Sequence, residues 1–411
     1  MRTTAALRLF VGAAALVVLT GCTQVVEGAA ARAPGGPAPG EVDPTLLDPG
    51  NYPTEPQPAL GAAGSPKLGA RVEAARMSSA VVGPWEVDDR LDDSKLPNGI
   101  ISFPDGLGTL LSPLVAEAAA RNQFVTAFVS NRADRDNDQA LIMAVLRFRD
   151  DQSAATAARE MLEAALVPPD DPESFLPTAA PATIPGHPDT LASWEETDFP
   201  SRGPTTSVQL MTARGPFVLY QWARTSENLE TVTALAATAL DQQIPRIDEF
   251  APTEVNALAD LPVDPDGLLA RTLPAPKEFP ALQPNGLTFD RAGALHFQSE
   301  PRTATTLFDQ TIMDQWAYGG ISVYQAGDEQ GAGQIVEQFV AESQEQPGMD
   351  KAEPVPNFPG SHCSRRQDGE GAVVMFTCFA AADRYAFEAT SAQLIDAQQQ
   401  VAAQYLMLTA K

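Results

Sequence analysis

The sequence predicts an α+β fold of two similar domains, each with helices packed on an antiparallel sheet. Three observations predict it. Apolar runs of strand length are separated by short polar turns, which makes hairpins the dominant strand connection. Stretches of helical periodicity open on Asp or Ser, the residues that cap helix N-termini. One order of elements then recurs on either side of a Pro-rich stretch.

In the first region the apolar strand Ala140–Phe148 meets Asp150, a cap for a helix carrying Ala154, Ala158, Met161, Leu162 and Ala165 at helical spacing. After Ile184-Pro185-Gly186-His187 come strands near Ser207–Thr212 and Pro216–Ala223. Ser226 is expected to cap a last helix with Leu229, Val232, Leu235, Ala239 and Leu240, and Pro245 to stop it. The second region repeats the order. Strand Gly320–Gln325 leads to Asp328 and a helix with Ala332, Ile335, Val336, Phe339 and Val340. Phe358-Pro359-Gly360-Ser361-His362 precedes strands near Cys363–Arg366, Val373–Phe379 and Arg384–Ala389. Ser391 is expected to cap a final helix with Leu394, Ile395, Val401, Ala402, Tyr405 and Leu408. Earlier helices are expected near Ser112–Arg121, with Pro113 at its first position, and near Thr303–Trp316. A further helix, Pro66–Val81, is expected to pack on the first domain. The repetition reads as a diverged internal duplication. It rests on order and spacing with little residue identity, and α+β domains often share such alternation.

The expected organisation is a leader at 1–21, an Ala/Gly/Pro-rich tether at 22–45, an N-terminal α+β domain at 46–250, a Pro-rich connector at 251–284 and a C-terminal α+β domain at 285–411. The leader has Arg2 and Arg8, then an apolar run from Leu9 to Leu19 that is shorter than the roughly 20 residues needed to cross a bilayer. It closes on Leu19, Thr20, Gly21 and Cys22, which resemble the lipobox of bacterial lipoproteins. That resemblance implies a diacylglyceryl group on the Cys22 thiol and cleavage immediately before it. Two acyl chains give stable anchoring where one is marginal. The expected location is therefore the extracytoplasmic face of the cell membrane.

The chain carries a formal charge of −26, and loss of the two leader arginines makes the remainder two charges more negative. Such a balance argues against nucleic acid as a partner, because that affinity comes from Lys and Arg neutralising phosphates. It also argues against the body lying on anionic lipid. An acidic surface that keeps a tethered protein soluble is the simpler reading.

Of the three cysteines, Cys22 takes the lipid and Cys363 and Cys378 remain. In an oxidising compartment the remaining pair reads as a disulfide, across two strands around the polar turn at Arg365–Gly371. A redox-active pair is the alternative, although such pairs usually sit two residues apart at a helix start.

No catalytic constellation, cofactor fingerprint or metal-ligand set emerges. Asp134-Arg135-Asp136-Asn137-Asp138 starts like a calcium loop. However, its sixth position is Gln139 and its twelfth is Val145, so a solvated hairpin turn is the better reading. Asp264 and Asp266 before Gly267 also read as a turn. His187, His296 and His362 lack the one-turn spacing of a metalloprotease helix. His187 and His362 fall at matching places in the two regions, where a shared ligand role competes with a structural loop role. No Gly-x-Ser-x-Gly elbow occurs. Gly331 and Gly333 lie inside a helix with no Lys-Ser/Thr after them, so they form no phosphate loop. Trp85, Trp194, Trp222 and Trp316 could line a pocket or fill a core.

Leu47-Asp48-Pro49-Gly50-Asn51-Tyr52-Pro53-Thr54 and Gly83-Pro84-Trp85-Glu86-Val87-Asp88 resemble an uncharacterised family of large lipoproteins from mycobacteria-related, mycolic-acid-bearing actinobacteria. The likeness covers most of the chain, including the closing Val401-Ala402-Ala403-Gln404-Tyr405 helix. It implies a place on the outer face of the cytoplasmic membrane beneath the mycolate layer, and no activity. The disulfide followed by a terminal helix is also loosely similar to extracellular sensor domains of actinobacterial receptor kinases. The expected function is a non-catalytic module binding an envelope ligand or protein partner. An envelope hydrolase acting on esters or glycans and a structural scaffold are the alternatives. A deep pocket between the domains would separate them.

Overall fold

The computed structural model describes residues 41–94, 98–168, 179–199, 203–275, 282–369 and 372–410. The expected leader, the lipobox and nearly all of the tether lie outside them.

Two seven-stranded antiparallel sheets form the body, and their strand orders are the same. The first sheet holds β1 (Gly99–Ile101), β2 (Phe124–Ala133), β3 (Gln139–Phe148), β4 (Ala180–Pro181), β5 (Leu191–Phe199), β6 (Gly203–Arg214) and β7 (Phe217–Thr225), in the order β1-β2-β3-β7-β6-β5-β4. The second holds β8 (Leu287–Asp290), β9 (Gln315–Tyr318), β10 (Ser322–Gln325), β11 (Met349–Ala352), β12 (His362–Gln367), β13 (Val373–Ala382) and β14 (Tyr385–Ser391), in the order β8-β9-β10-β14-β13-β12-β11. Helices α1 (Pro66–Met77), α2 (Pro84–Val87), α3 (Pro113–Arg121), α4 (Asp151–Ala165) and α5 (Leu229–Asp248) accompany the first sheet. The second has α6 (Arg291–Leu295), α7 (Pro301–Gln310), α8 (Glu329–Glu345) and α9 (Leu394–Thr409). Each half inserts one helix after its third strand, α4 or α8, and appends one after its seventh, α5 or α9. The order matches strand for strand, as a two-domain duplication requires.

Local chemistry explains the match. Asp150 accepts the Ser153 amide at 2.8 Å and Asp328 accepts the Gly331 amide at 2.8 Å, so the two inserted helices start on the same cap. The Asp134 carboxylate accepts the amides of Asp138 at 2.7 Å and Gln139 at 3.1 Å. This makes the acidic run the hairpin turn between β2 and β3. Asp264 likewise closes a turn onto the amides of Leu269 and Ala270.

Four local expectations are corrected. Asn228, not Ser226, caps α5, its side chain accepting from the Thr231 amide, while the Ser226 amide stays with the hairpin and donates to Asp138 O. Pro245 does not stop α5, which runs on to Asp248. Gln243 bonds Ala80 O and the Val82 amide and Ile247 is buried, so packing outweighs the one backbone bond that proline removes. Gln393 is the N-cap of α9, and Ser391 only turns the chain toward it by accepting the Gln393 amide at 3.2 Å. The helix expected to reach Trp316 ends at Gln310; Ile312 takes a left-handed φ of 51°, and Trp316 lies on β9.

The halves are welded. One continuous core includes Phe128, Val145 and Leu219 of the first sheet and Phe289, Val323 and Phe387 of the second. A second core fills the other face of the first sheet beneath α3 and α4. Helix α1 packs against both β2 and β8, not on the first half alone. The Pro-rich stretch is also packed, with Leu258, Val263, Leu268 and Leu273 buried. Across it, Gln404 accepts the Leu273 amide at 2.8 Å and donates to Arg271 O at 2.7 Å. Before α1 the chain runs over the second half: Gln399 donates to Asp48 at 2.9 Å, Tyr52 to Asp396 at 2.6 Å and Asn357 to Leu46 O at 2.9 Å.

Candidate binding cleft between the two halves

Where the halves meet, a cleft of about 1050 Å³ opens, with one wall from each. Its floor is built on a histidine. His296 follows α6 and is 2 % exposed. Its Nε2 donates to Ser78 O at 3.1 Å and its Nδ1 accepts the Ser130 hydroxyl at 2.8 Å, so both ring nitrogens are occupied. Burial lowers its pKa to about 4, which keeps the ring neutral. Trp85 stands edge-on to it at 5.2 Å between centroids. A side chain at residue 83 would strike the indole, since a Cβ there would sit 2.4 Å from Trp85 ring atoms. Gly83 is therefore required.

A buried arginine fixes the same floor from below. Arg132 on β2, 1 % exposed, donates to the carbonyls of Asn131, His296 and Gln298 at 3.0, 3.1 and 2.8 Å. It also lies 5.3 Å over the Trp85 ring. Burial pushes its guanidinium down to about 10. First-half cation and second-half carbonyls thus hold the hinge line of the cleft together.

The walls are mixed. Val81, Trp85, Leu295 and Leu307 supply apolar surface, and Thr303 and Thr306 supply hydroxyls. Glu86 is clamped by Arg246 through two bonds of 2.8 and 2.7 Å and also accepts the Gly83 amide at 2.7 Å. Burial works against its ionisation, but Arg246 and that amide outweigh it and its pKa falls. Arg302 and Asp89 pair at 3.5 Å, and Arg135 and Asp92 approach to 3.9 Å. Glu300 is raised by its own burial and by Asp92. Such a cleft can seat a ligand with an apolar body and polar groups. Among the described residues no group of three His, Cys, Asp or Glu side chains could hold a metal ion.

Residues 60–263 match the N-terminal part and residues 268–411 the C-terminal part of a domain of unknown function, DUF7373. The chain belongs to the DUF7373 family. No curated protein matches this DUF7373 chain in sequence. Among solved structures, the extracellular domain of PknH from Mycobacterium tuberculosis is similar at 14% identity and a TM-score of 0.29, over 41% of this chain and 96% of that one.

Of the residues singled out in the DUF7373 sequence, Leu19, Thr20, Gly21 and Cys22 lie outside the described residues. Cys363 and Cys378 are disulfide-bonded, directly opposite on β12 and β13. His187 lies in the turn before β5 and pairs with Asp241 of α5 at 3.0 Å, whereas His362 is the first residue of β12, opposite Phe379 of β13. Trp85 reaches the cleft, whereas Trp316 stacks between Tyr318 and Tyr324. Sequence reading missed the part played by His296, and with it Arg132 and the Glu86–Arg246 clamp. One signal was available: Arg132 is the one charged residue of its strand. Among the described residues no helix is long and apolar enough to cross a membrane.

Proposed function

We propose that this DUF7373 protein is a non-catalytic binding module, lipid-anchored through Cys22 on the extracytoplasmic face of the cell membrane, that takes a small or lipidic envelope ligand in the cleft between its halves. The observation that carries the reading is the cleft itself. About 1050 Å³ lies at the upper end of the range for ligand sites, and apolar and polar groups converge there on a rigid, hydrogen-bonded floor. The charged groups at the floor are committed to structure. Glu86 is neutralised by Arg246, and both nitrogens of His296 are already bonded. The anchor rests on the Leu19–Cys22 motif.

Native mass spectrometry of the protein purified from its own envelope tests the binding reading. A co-purifying molecule is expected, and Thr306→Trp, which fills the cleft from an exposed position, should lose it. Clean apo protein with esterase or glycosidase turnover would overturn the proposal. Cys22→Ser tests the anchor separately: the variant should leave the membrane fraction, and unchanged retention would refute lipidation.

A further inference from the structure

The duplication provides an internal control for one position on the helix-covered face of the sheet. Both sixth-to-seventh strand hairpins turn on two residues, with Arg214 opposite Phe217 and Ala382 opposite Tyr385. Residue 220 therefore aligns with residue 388. The row through Tyr220 runs Val129–Ala144–Tyr220–Met211–Leu191 across β2, β3, β7, β6 and β5. It packs with Ala154, Ala157, Ala158 and Met161 of α4 into one core. The matching row of the second half reads Tyr318–Ser322–Glu388–Phe379–His362. Between that row and α8 lies a cavity of about 260 Å³. The fold does not demand an acid here, since its first copy fills the place with a tyrosine.

Two carboxylates face the cavity, Glu388 from the sheet and Glu342 from α8, and among the described residues lining it there is no Lys, Arg or His. Rings of Tyr318, Tyr324, Phe339 and Phe379 stand in the wall beside polar side chains such as Ser322, Ser343 and Thr377. The Tyr324 hydroxyl donates to Glu388 at 3.4 Å. Burial raises both acids, Glu388 to about 7. A carboxylate withdrawn from water with no cation among the described lining residues is costly, and a bound cation removes that cost.

We infer that this cavity is a second binding site, separate from the cleft, for a small primary ammonium compound with a short apolar or aromatic body. The ammonium donates to Glu388 and Glu342, and the body lies against Tyr324, Phe339 and Phe379, whose ring faces attract a cation. A bare metal ion fits less well, because among the described residues only two carboxylates and no His or Cys face the cavity, short of a three-ligand set.

Isothermal titration calorimetry on the full chain at pH 7.5 tests this with two matched pairs, 2-phenylethylamine against 2-phenylethanol and butylamine against butanol. The expected result is binding of at least one amine, with its alcohol at least tenfold weaker. Glu388→Gln should weaken that amine at least tenfold with an unchanged far-UV spectrum, whereas Thr306→Trp in the cleft should leave it unaffected. Equal affinity for amine and alcohol, indifference to Glu388→Gln, or no binding of either amine would overturn the inference. Loss through Thr306→Trp would move the amine to the cleft and equally overturn it.

Discussion

Two titratable groups, buried His296 and half-buried Glu388, push stability in opposite directions with pH. The unfolded chain releases the Glu388 proton above about 4.5, whereas the folded chain holds it to about 7. The folded state binds more protons between those values, so this group lowers stability as pH rises through them. His296 does the reverse. The unfolded imidazole takes a proton below 6.5 and the folded one only below about 4, so its contribution grows with pH across that window. Each shift corresponds to about 3 kcal/mol. Replacing Glu388 by Gln should therefore stabilise the protein little at pH 4.5 and by about 2–3 kcal/mol at pH 7.5. Urea unfolding at both values checks this, and a gain independent of pH would contradict it. Glu73 on α1, 0 % exposed, meets Arg147, Arg76, the Thr253 amide and the Thr253 hydroxyl. Glu73→Gln strips the charge that balances buried Arg147 and should cost about 3–5 kcal/mol. The double change Glu73→Met with Arg147→Met should cost less than Glu73→Gln, because no unpaired charge is then left inside. Denaturant midpoints compare the three.

At the level of elements, the covalent link between β12 and β13 closes a loop of sequence separation 15. Replacing Cys363 and Cys378 with Ala should cost about 3 kcal/mol in the chain-entropy account. A thermal melt unmoved by the change would argue that the strand pair is fixed by its ladder alone. Much at this scale was legible. Asp150 and Asp328 act locally on amides three residues ahead, and periodicity marks the helices that follow. The misread ends have two causes. At Pro245 a strong local preference lost to groups far along the chain, the Gln243 bonds to Ala80 and Val82, whereas at Ser226 and Ser391 the cap position fell two residues further on, at Asn228 and Gln393. Trp316 fits a helical pattern equally well, and only its stack with Tyr318 and Tyr324 shows why it belongs to a strand.

Across the whole molecule, the shared strand order was visible as a recurring series of elements, because order survives when residue identity does not. The cleft was not visible. Its floor joins His296 to Ser78 and Ser130, and Glu86 to Arg246, over separations of more than a hundred residues, and no local spacing encodes such a meeting. The continuous core predicts a further property. Scanning calorimetry should show a single transition with calorimetric and van't Hoff enthalpies in agreement. Two resolved transitions would mean that the halves are independent despite Leu273, Gln404 and Arg132. The strap before α1 has a mechanical meaning as well. Tension entering near Glu41 meets Asp48, Tyr52 and Leu46 first, and these are fastened to α9 and Asn357. A pull from that end is thus borne by the last helix of the chain before it reaches the first sheet, and α9 should be the first element to yield under load.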